Sequence, residues 1–221
     1  MSERERLLPL TTSQREALQK ATTQYERDIS EEVEGWLVER GIDPVTRATF
    51  RLGSVGSLPK PGHDKHAGSL VIPYLDKEGQ PLSMRFRCIQ NHDHRQYGHG
   101  KYMSGYHDPG RMFNIRAIHE SDDTIHVTEG ELDAILLNRL GFPAVGLPGA
   151  SSWRSHHARM LAGFSTIYLW GDPDDAGQDL VERISYSLRR ARAVPLRDGD
   201  VTEVYQAGGR EALAAALEEV A

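Results

Sequence analysis

From Thr124 onward the apolar residues fall into short runs separated by stretches of helical period. Thr124-Ile-His-Val-Thr and Thr166-Ile-Tyr-Leu-Trp read as strands, and each runs through carboxylates into a helix-type pattern. Ala134–Leu140 predicts a helix that stops at Gly141. Phe142–Gly146 is a short strand, and His156–Leu161 a helix. From Ala176 a helix carries Leu180, Ile184 and Leu188 in register. Ala193–Leu196 is the last strand, Asp198–Glu203 turns into a closing helix, and Arg210–Val220 gives another. This alternation predicts an α/β fold with a mainly parallel sheet covered by helices. Right-handed crossovers then put every strand's carboxyl end on one edge.

The pattern upstream is different. Ala17, Ala21, Tyr25 and Ile29 recur every fourth residue, with Leu18 beside them, as one face of a helix whose capping box is Ser13 and Glu16. Val33, Trp36 and Leu37 mark a second helix ending at Gly41, and Asp43-Pro44 starts a short third one. The breakers between Leu58 and His66 predict a loop. Ser69–Leu75 and Leu82–Ile89 then alternate as two strands joined by Asp76–Gly79, a hairpin. On the second strand Leu82, Met84, Phe86 and Cys88 share one face; Ser83, Arg85, Arg87 and Ile89 share the other. The expected division is a helical segment over 1–50, a basic β-hairpin subdomain over 51–118 and an α/β domain over 119–221.

Composition narrows the classes. The chain has 221 residues and a net charge of −6, which argues against bulk nonspecific binding of nucleic acid. The first helices carry more acids than bases, unlike a recognition helix. Locally the balance reverses: Arg85, Arg87, Arg95, Lys101, Arg111 and Arg116 stand against only Asp93 and Asp108. That reversal reads as an anion-binding patch for nucleotide phosphates or a nucleic-acid backbone, the alternative being a solvated strand face. Cys88 is the only cysteine, so neither an internal disulfide nor a four-cysteine zinc ribbon can form. His92, His94, His99 and His107 lie near it in a spacing that matches no standard zinc signature, and the plainer reading is a polar loop. Met1-Ser-Glu-Arg-Glu-Arg lacks the apolar core of a secretion signal, and no apolar run could span a bilayer. The expectation is a cytoplasmic protein.

The candidate chemistry lies at the predicted sheet edge. With the Thr124 and Thr166 strands side by side, Glu129, Asp172 and Asp174 meet where open α/β sheets bind ligands. Clustered carboxylates repel unless a cation sits between them, and hard oxygen donors suit Mg²⁺ or Mn²⁺. Asp200 falls near the same edge. Glu131 and Asp133 read either as supports for the cluster or as ordinary helix-start acids.

Glu129-Gly130 followed by Asp172-Pro-Asp174 resembles the TOPRIM domain, the metal-binding module of primases, topoisomerases and some nucleases. Asp200-Val-Thr-Glu203 is similar to a further acidic segment of the primase branch. With the flanking hairpin and Gly100-Lys101-Tyr102, residues 35–215 resemble the RNA-polymerizing domain of phage helicase-primases and the bacterial primase core. The resemblance implies Asp172, Asp174 and Asp200 as metal ligands, with Glu129 as ligand or general base. It also implies Arg85, Arg87 and Lys101 as holders of the triphosphate. The implied reaction is Mg²⁺- or Mn²⁺-dependent synthesis of RNA primers from nucleoside triphosphates on single-stranded DNA. Neither a zinc-type template reader nor a Walker loop is in the sequence, so a separate replicative helicase or template reader is the implied partner. Two alternatives use the same residues: a TOPRIM nuclease, and a non-catalytic module assisting another replication protein.

Overall fold

Thr11 starts the first helix of the computed structural model, which describes residues 9–56, 59–104 and 110–220. Met1–Arg6, Leu58 and His107 lie outside the described residues. The capping box of α1 (Thr12–Arg27) is Thr11 with Gln14, not Ser13 with Glu16. Thr11 Oγ1 accepts the Gln14 N–H at 3.3 Å, and Gln14 Oε1 accepts the Thr11 N–H at 2.8 Å. Its buried face is Ala21, Thr22 and Tyr25, while Ala17 is exposed. Ser30 caps α2 (Glu31–Glu39), which buries Val33 and Leu37 and ends ahead of Gly41. Asp43 caps α3 (Pro44–Thr49), with Pro44 in its first turn.

The predicted hairpin is the centre of a four-stranded antiparallel sheet. β1 (Gly53–Ser54), β2 (Leu70–Leu75), β3 (Pro81–Arg87) and β4 (Tyr102–Ser104) lie in that order. β1 and β4 are too short to show an alternation of their own. The two faces of this sheet pack differently. Val71, Met84 and Phe86 close on Ala21 and Tyr25 of α1. Leu70, Ile72 and Tyr74 join a core built with α2, α5 and α8. Ile72 pairs with Arg85 in the ladder, so the arginine side of β3 faces this second core.

α4 (Arg116–Glu120) leads into the parallel sheet of β5 (Thr124–Thr128), β6 (Ala144–Gly146), β7 (Thr166–Trp170) and β8 (Ala191–Ala193). Its order is β6-β5-β7-β8, every pair parallel. α5 (Glu131–Arg139) and α8 (Val201–Glu218) cover one face, with Trp170, Ala144, Leu136 and Leu213 between them. α6 (Ser155–Leu161) and α7 (Asp175–Ser187) cover the other, through Val127, Leu161, Leu180 and Ile184. The α/β expectation holds. The last strand lies two residues earlier than predicted, because Pro195 has no N–H to give a ladder and the chain leaves the sheet before it. The two predicted closing helices run end to end as α8, broken at Gly209, whose φ of 68° and ψ of −161° lie outside the helical region.

From β5 the chain passes to β6 on one side, then returns to β7 on the other. The boundary between β5 and β7 is therefore a switch point, where the loops leaving adjacent strands diverge and open a crevice.

Candidate metal and nucleotide site

Glu129 follows β5 directly and Asp172 follows β7 by one glycine, so the two acids flank that crevice. Neither caps a helix. Gly130 occupies the N-cap of α5 and makes no side-chain cap, and Asp174 caps α7, its Oδ1 accepting the Gly177 N–H at 2.8 Å. Asp200 caps α8 in a reciprocal box: its Oδ1 accepts the Glu203 N–H at 2.8 Å, and Glu203 Oε2 accepts the Asp200 N–H at 3.1 Å. Asp133 points from α5 to the same place. Its Oδ1 accepts both the backbone N–H of Thr202 at 3.2 Å and the Thr202 hydroxyl at 2.8 Å.

Burial and the neighbouring carboxylates raise the pKa of Asp172, Glu129 and Asp133. Partial burial, then the charges of Glu129, Asp200, Asp174 and Glu203, push Asp172 up to about 7. Glu129 is raised by burial and by Asp174. Asp133 is raised by burial and by the charges of Asp200 and Asp172. Among the described residues no arginine or lysine forms an ion pair with any of them. Glu129 Oε2 is buried without a hydrogen-bond partner. An orphaned buried carboxylate oxygen among mutually repelling acids costs free energy that a hard divalent cation would recover. This donor set fits Mg²⁺ or Mn²⁺.

Close packing fixes Asp172. A Cβ on Gly177 would stand 2.2 Å from the Asp172 carbonyl oxygen and 2.6 Å from its nitrogen. Only a glycine in the first turn of α7 lets the loop lie this close.

Arg85 and Arg87 lie on the face of the antiparallel sheet that packs toward α5 and α8, and the two engage differently. Arg85 Nη1 pairs with Glu131, and the Tyr74 hydroxyl donates to the same Oε1 at 2.6 Å. Glu131 is 1% exposed, so this is a buried bond between β3 and α5 that ties the two sheets together. Arg87 lies beyond it. Its Nη1 donates to the Tyr102 hydroxyl, and its guanidinium stands 4.7 Å from the Trp36 ring centroid and 4.9 Å from that of Tyr102. Arg40 stacks on the same indole at 3.6 Å. Burial and the nearby Arg87 charge lower the Arg40 pKa, while Asp200 opposes them. Arg40 therefore lies within electrostatic reach of the acidic edge. Lys101 is exposed at the start of β4. Tyr102 stood in the Gly100-Lys101-Tyr102 segment singled out in the sequence, whereas Arg40 and Trp36 were not singled out as members of this surface. Trp36 sits in an ordinary apolar stripe, and nothing near Arg40 signals that it would meet β3.

The description Toprim-like belongs to the family model that matches residues 126–201. That stretch contains Glu129, Glu131, Asp133, Asp172, Asp174 and Asp200, and leaves out the basic sheet. The gene 57 protein of Mycobacterium phage D29 is 29% identical over 153 residues, covering 67% of this chain and 97% of that protein. The RNA polymerase domain of the Mycobacterium tuberculosis primase DnaG, solved with a double-stranded DNA oligomer carrying an overhang, superposes with a TM-score of 0.75. It is 17% identical, and the match covers 96% of this chain and 81% of that one. The primase fragment of the bacteriophage T7 primase-helicase protein gives 0.61 at 23% identity, over 81% of this chain and 72% of that one. The chain thus carries a Toprim-like domain within the fold of primase catalytic cores.

Proposed function

We propose that this protein is the catalytic core of a DNA primase, joining nucleoside triphosphates into short RNA primers on single-stranded DNA during phage DNA replication. The observation that carries the reading is the acidic crevice between β5 and β7 with Arg40, and Arg87 next to it, within electrostatic reach of Asp200. One side suits a divalent cation and the other suits phosphates.

Asp172, Asp174 and Asp200 would hold Mg²⁺ or Mn²⁺, with Glu129 beside them. The bound cation supplies charge neutralisation to the nucleotide phosphates and to the attacking oxygen. Phosphoryl transfer otherwise asks the protein for alignment more than for covalent chemistry. Arg87, Lys101 and Arg40 receive the triphosphate, and the stacked Trp36 and Tyr102 fix the direction in which Arg87 points. Arg85 stands behind them as a positioning residue, its guanidinium engaged with Glu131. The 3′-hydroxyl oxygen attacks the α-phosphorus, pyrophosphate departs, and Glu129 takes the hydroxyl proton. A raised carboxylate pKa suits that role, since a general base works best near the operating pH. In this scheme residues 51–118 face the nucleotide and template, residues 119–221 hold the metal, and the helices of 1–50 brace the hairpin. A separate replicative helicase or zinc-type template reader would deliver the template.

The test is primer synthesis on single-stranded DNA with labelled nucleotides and Mg²⁺ or Mn²⁺, with and without a replicative helicase, comparing wild type with Asp172→Ala. Short oligomers from wild type alone support the reading. DNA degradation lost in the variant replaces it with a nuclease, and no product under any condition with intact fold replaces it with a binding module.

A further inference from the structure

The loop between β3 and β4 gathers four side chains that the proposed reaction does not use. Cys88 continues β3, and its N–H donates to the Lys101 carbonyl at 3.0 Å across the base of the loop. From there the chain turns back through His92, His94 and His99. The donor atoms of these four residues all lie within 4.8 Å of one another.

Their separations approach those of a tetrahedron. With Zn–S near 2.3 Å and Zn–N at 2.0–2.1 Å, sulfur and nitrogen ligands stand about 3.6 Å apart and two nitrogens about 3.4 Å. Cys88 Sγ lies 3.6 Å from His92 Nε2. The His92, His94 and His99 ring centroids are 4.7 to 5.3 Å apart. A lone thiol–imidazole hydrogen bond would account for one of these contacts and not for three rings gathered around it. No carboxylate among the described residues hydrogen-bonds any of the three rings, and Asp93 Oδ1 is engaged by the Arg95 N–H at 3.0 Å. His94 Nδ1 is buried without a partner.

The surroundings hold the ligands in place. His99 Nδ1 lies 3.0 Å from the Gly100 carbonyl. That contact makes Nδ1 the protonated nitrogen and leaves Nε2 as a donor to metal, the usual outer support of a ligating histidine. Tyr97 stacks on His92 with centroids 4.4 Å apart. The backbone bonds Gln96 N to Asp93 O, Gly98 N to Arg95 O, and His99 N to His94 O fold the segment between the ligands.

We propose that Cys88, His92, His94 and His99 form a zinc site that closes the β3–β4 loop. Four protein donors fill a tetrahedron, so the site is structural and has no open position for a substrate. The metal pins the loop whose two ends carry Arg87 and Lys101, the residues to which the proposed function, on which this consequence rests, gives the triphosphate.

Metal content and cobalt spectroscopy on the full-length protein decide the matter without any activity assay. One zinc per purified chain is expected, falling at least tenfold in Cys88→Ser and His94→Asn. Adding Co²⁺ to the chelator-treated wild type should give the visible bands of tetrahedral cobalt and a near-ultraviolet thiolate-to-cobalt band. Cys88 is the only cysteine, so that band can come from no other residue, and the wild type suffices even if a variant fails to fold. Cobalt bound by the acidic edge alone would give no such band. Wild type without stoichiometric zinc and without the thiolate band, or a full complement of zinc retained by Cys88→Ser, overturns the proposal.

Discussion

Asp172 has a pKa of about 7 in the folded chain, against 3.8 for an ordinary aspartate. Below the ordinary value both folded and unfolded chains hold the proton, and the acid costs nothing. As pH rises from about 4 to about 7 the unfolded chain releases it first, so the folded state loses stability across that window. Metal-free protein should therefore melt lower at pH 8 than at pH 5, by thermal denaturation followed with circular dichroism. Millimolar Mg²⁺ should recover much of the loss at pH 8, and Asp172→Asn should recover it without metal. The arginines separate in the same way. Arg85→Ala leaves the buried Glu131 without its cation, which costs about 3–5 kcal/mol and lowers the melting temperature by roughly 10 °C. Arg87→Ala removes a partly exposed stack and should leave the melting temperature within a few degrees. In the primer assay it should raise the nucleotide KM about tenfold or more. Equal melting temperatures for the two variants would contradict the buried link. The acids were legible because Glu-Gly and Asp-x-Asp end apolar runs and are local in sequence. The difference between Arg85 and Arg87 was not, because alternation gives a shared face and says nothing about which arginine meets Glu131.

At the scale of elements, the strand ends and the helix starts that follow them build the site. A glycine in a helix normally costs about 1 kcal/mol relative to alanine, so Gly177→Ala would stabilise α7 if nothing lay against it. Here the added Cβ meets the Asp172 backbone at 2.2 Å. The variant should melt lower than wild type, and its primer synthesis should fall about 100-fold, since a displacement of 1 Å at a reacting group has that effect. A higher melting temperature with full activity would mean that the loop does not rest on the helix. The same reasoning separates what the chain announced from what it concealed. β5 and β7 each carry five residues of apolar pattern and were plain. β1 and β4 have two and three residues, and they exist because β2 and β3 offer them edges to pair with. The histidine loop was read as polar because its spacing fits no familiar signature; the return of the chain at β4 is what brings His99 back to Cys88.

The whole molecule is acidic with a small basic face, and this bounds how tightly it would hold DNA in the proposed role. If Arg40, Arg87 and Lys101 are the main phosphate contacts, the slope of log affinity against log salt for single strands is about −2. Affinity should then fall roughly 20-fold between 50 and 200 mM salt, measured by fluorescence anisotropy with a labelled oligonucleotide. A fall of a thousandfold would require a basic surface several times larger. Binding that weak and salt-sensitive would fit the proposed need for a partner that keeps the chain on its template. The core that holds the two sheets in register was visible only in outline, because it joins Val33 and Ile42 near one end of the chain to Leu213 near the other. No local pattern encodes that pairing. One further consequence follows from the caps. Asp174 and Asp200 each have Oδ1 fixed by a helix N–H at 2.8 Å, so their side-chain torsions are set before a cation arrives. Cation binding at this edge then has little rotamer freedom left to remove. Calorimetry should find Mg²⁺ binding driven by the entropy of released water, with stiffness already built into the helix ends doing the work of selection between small and large ions.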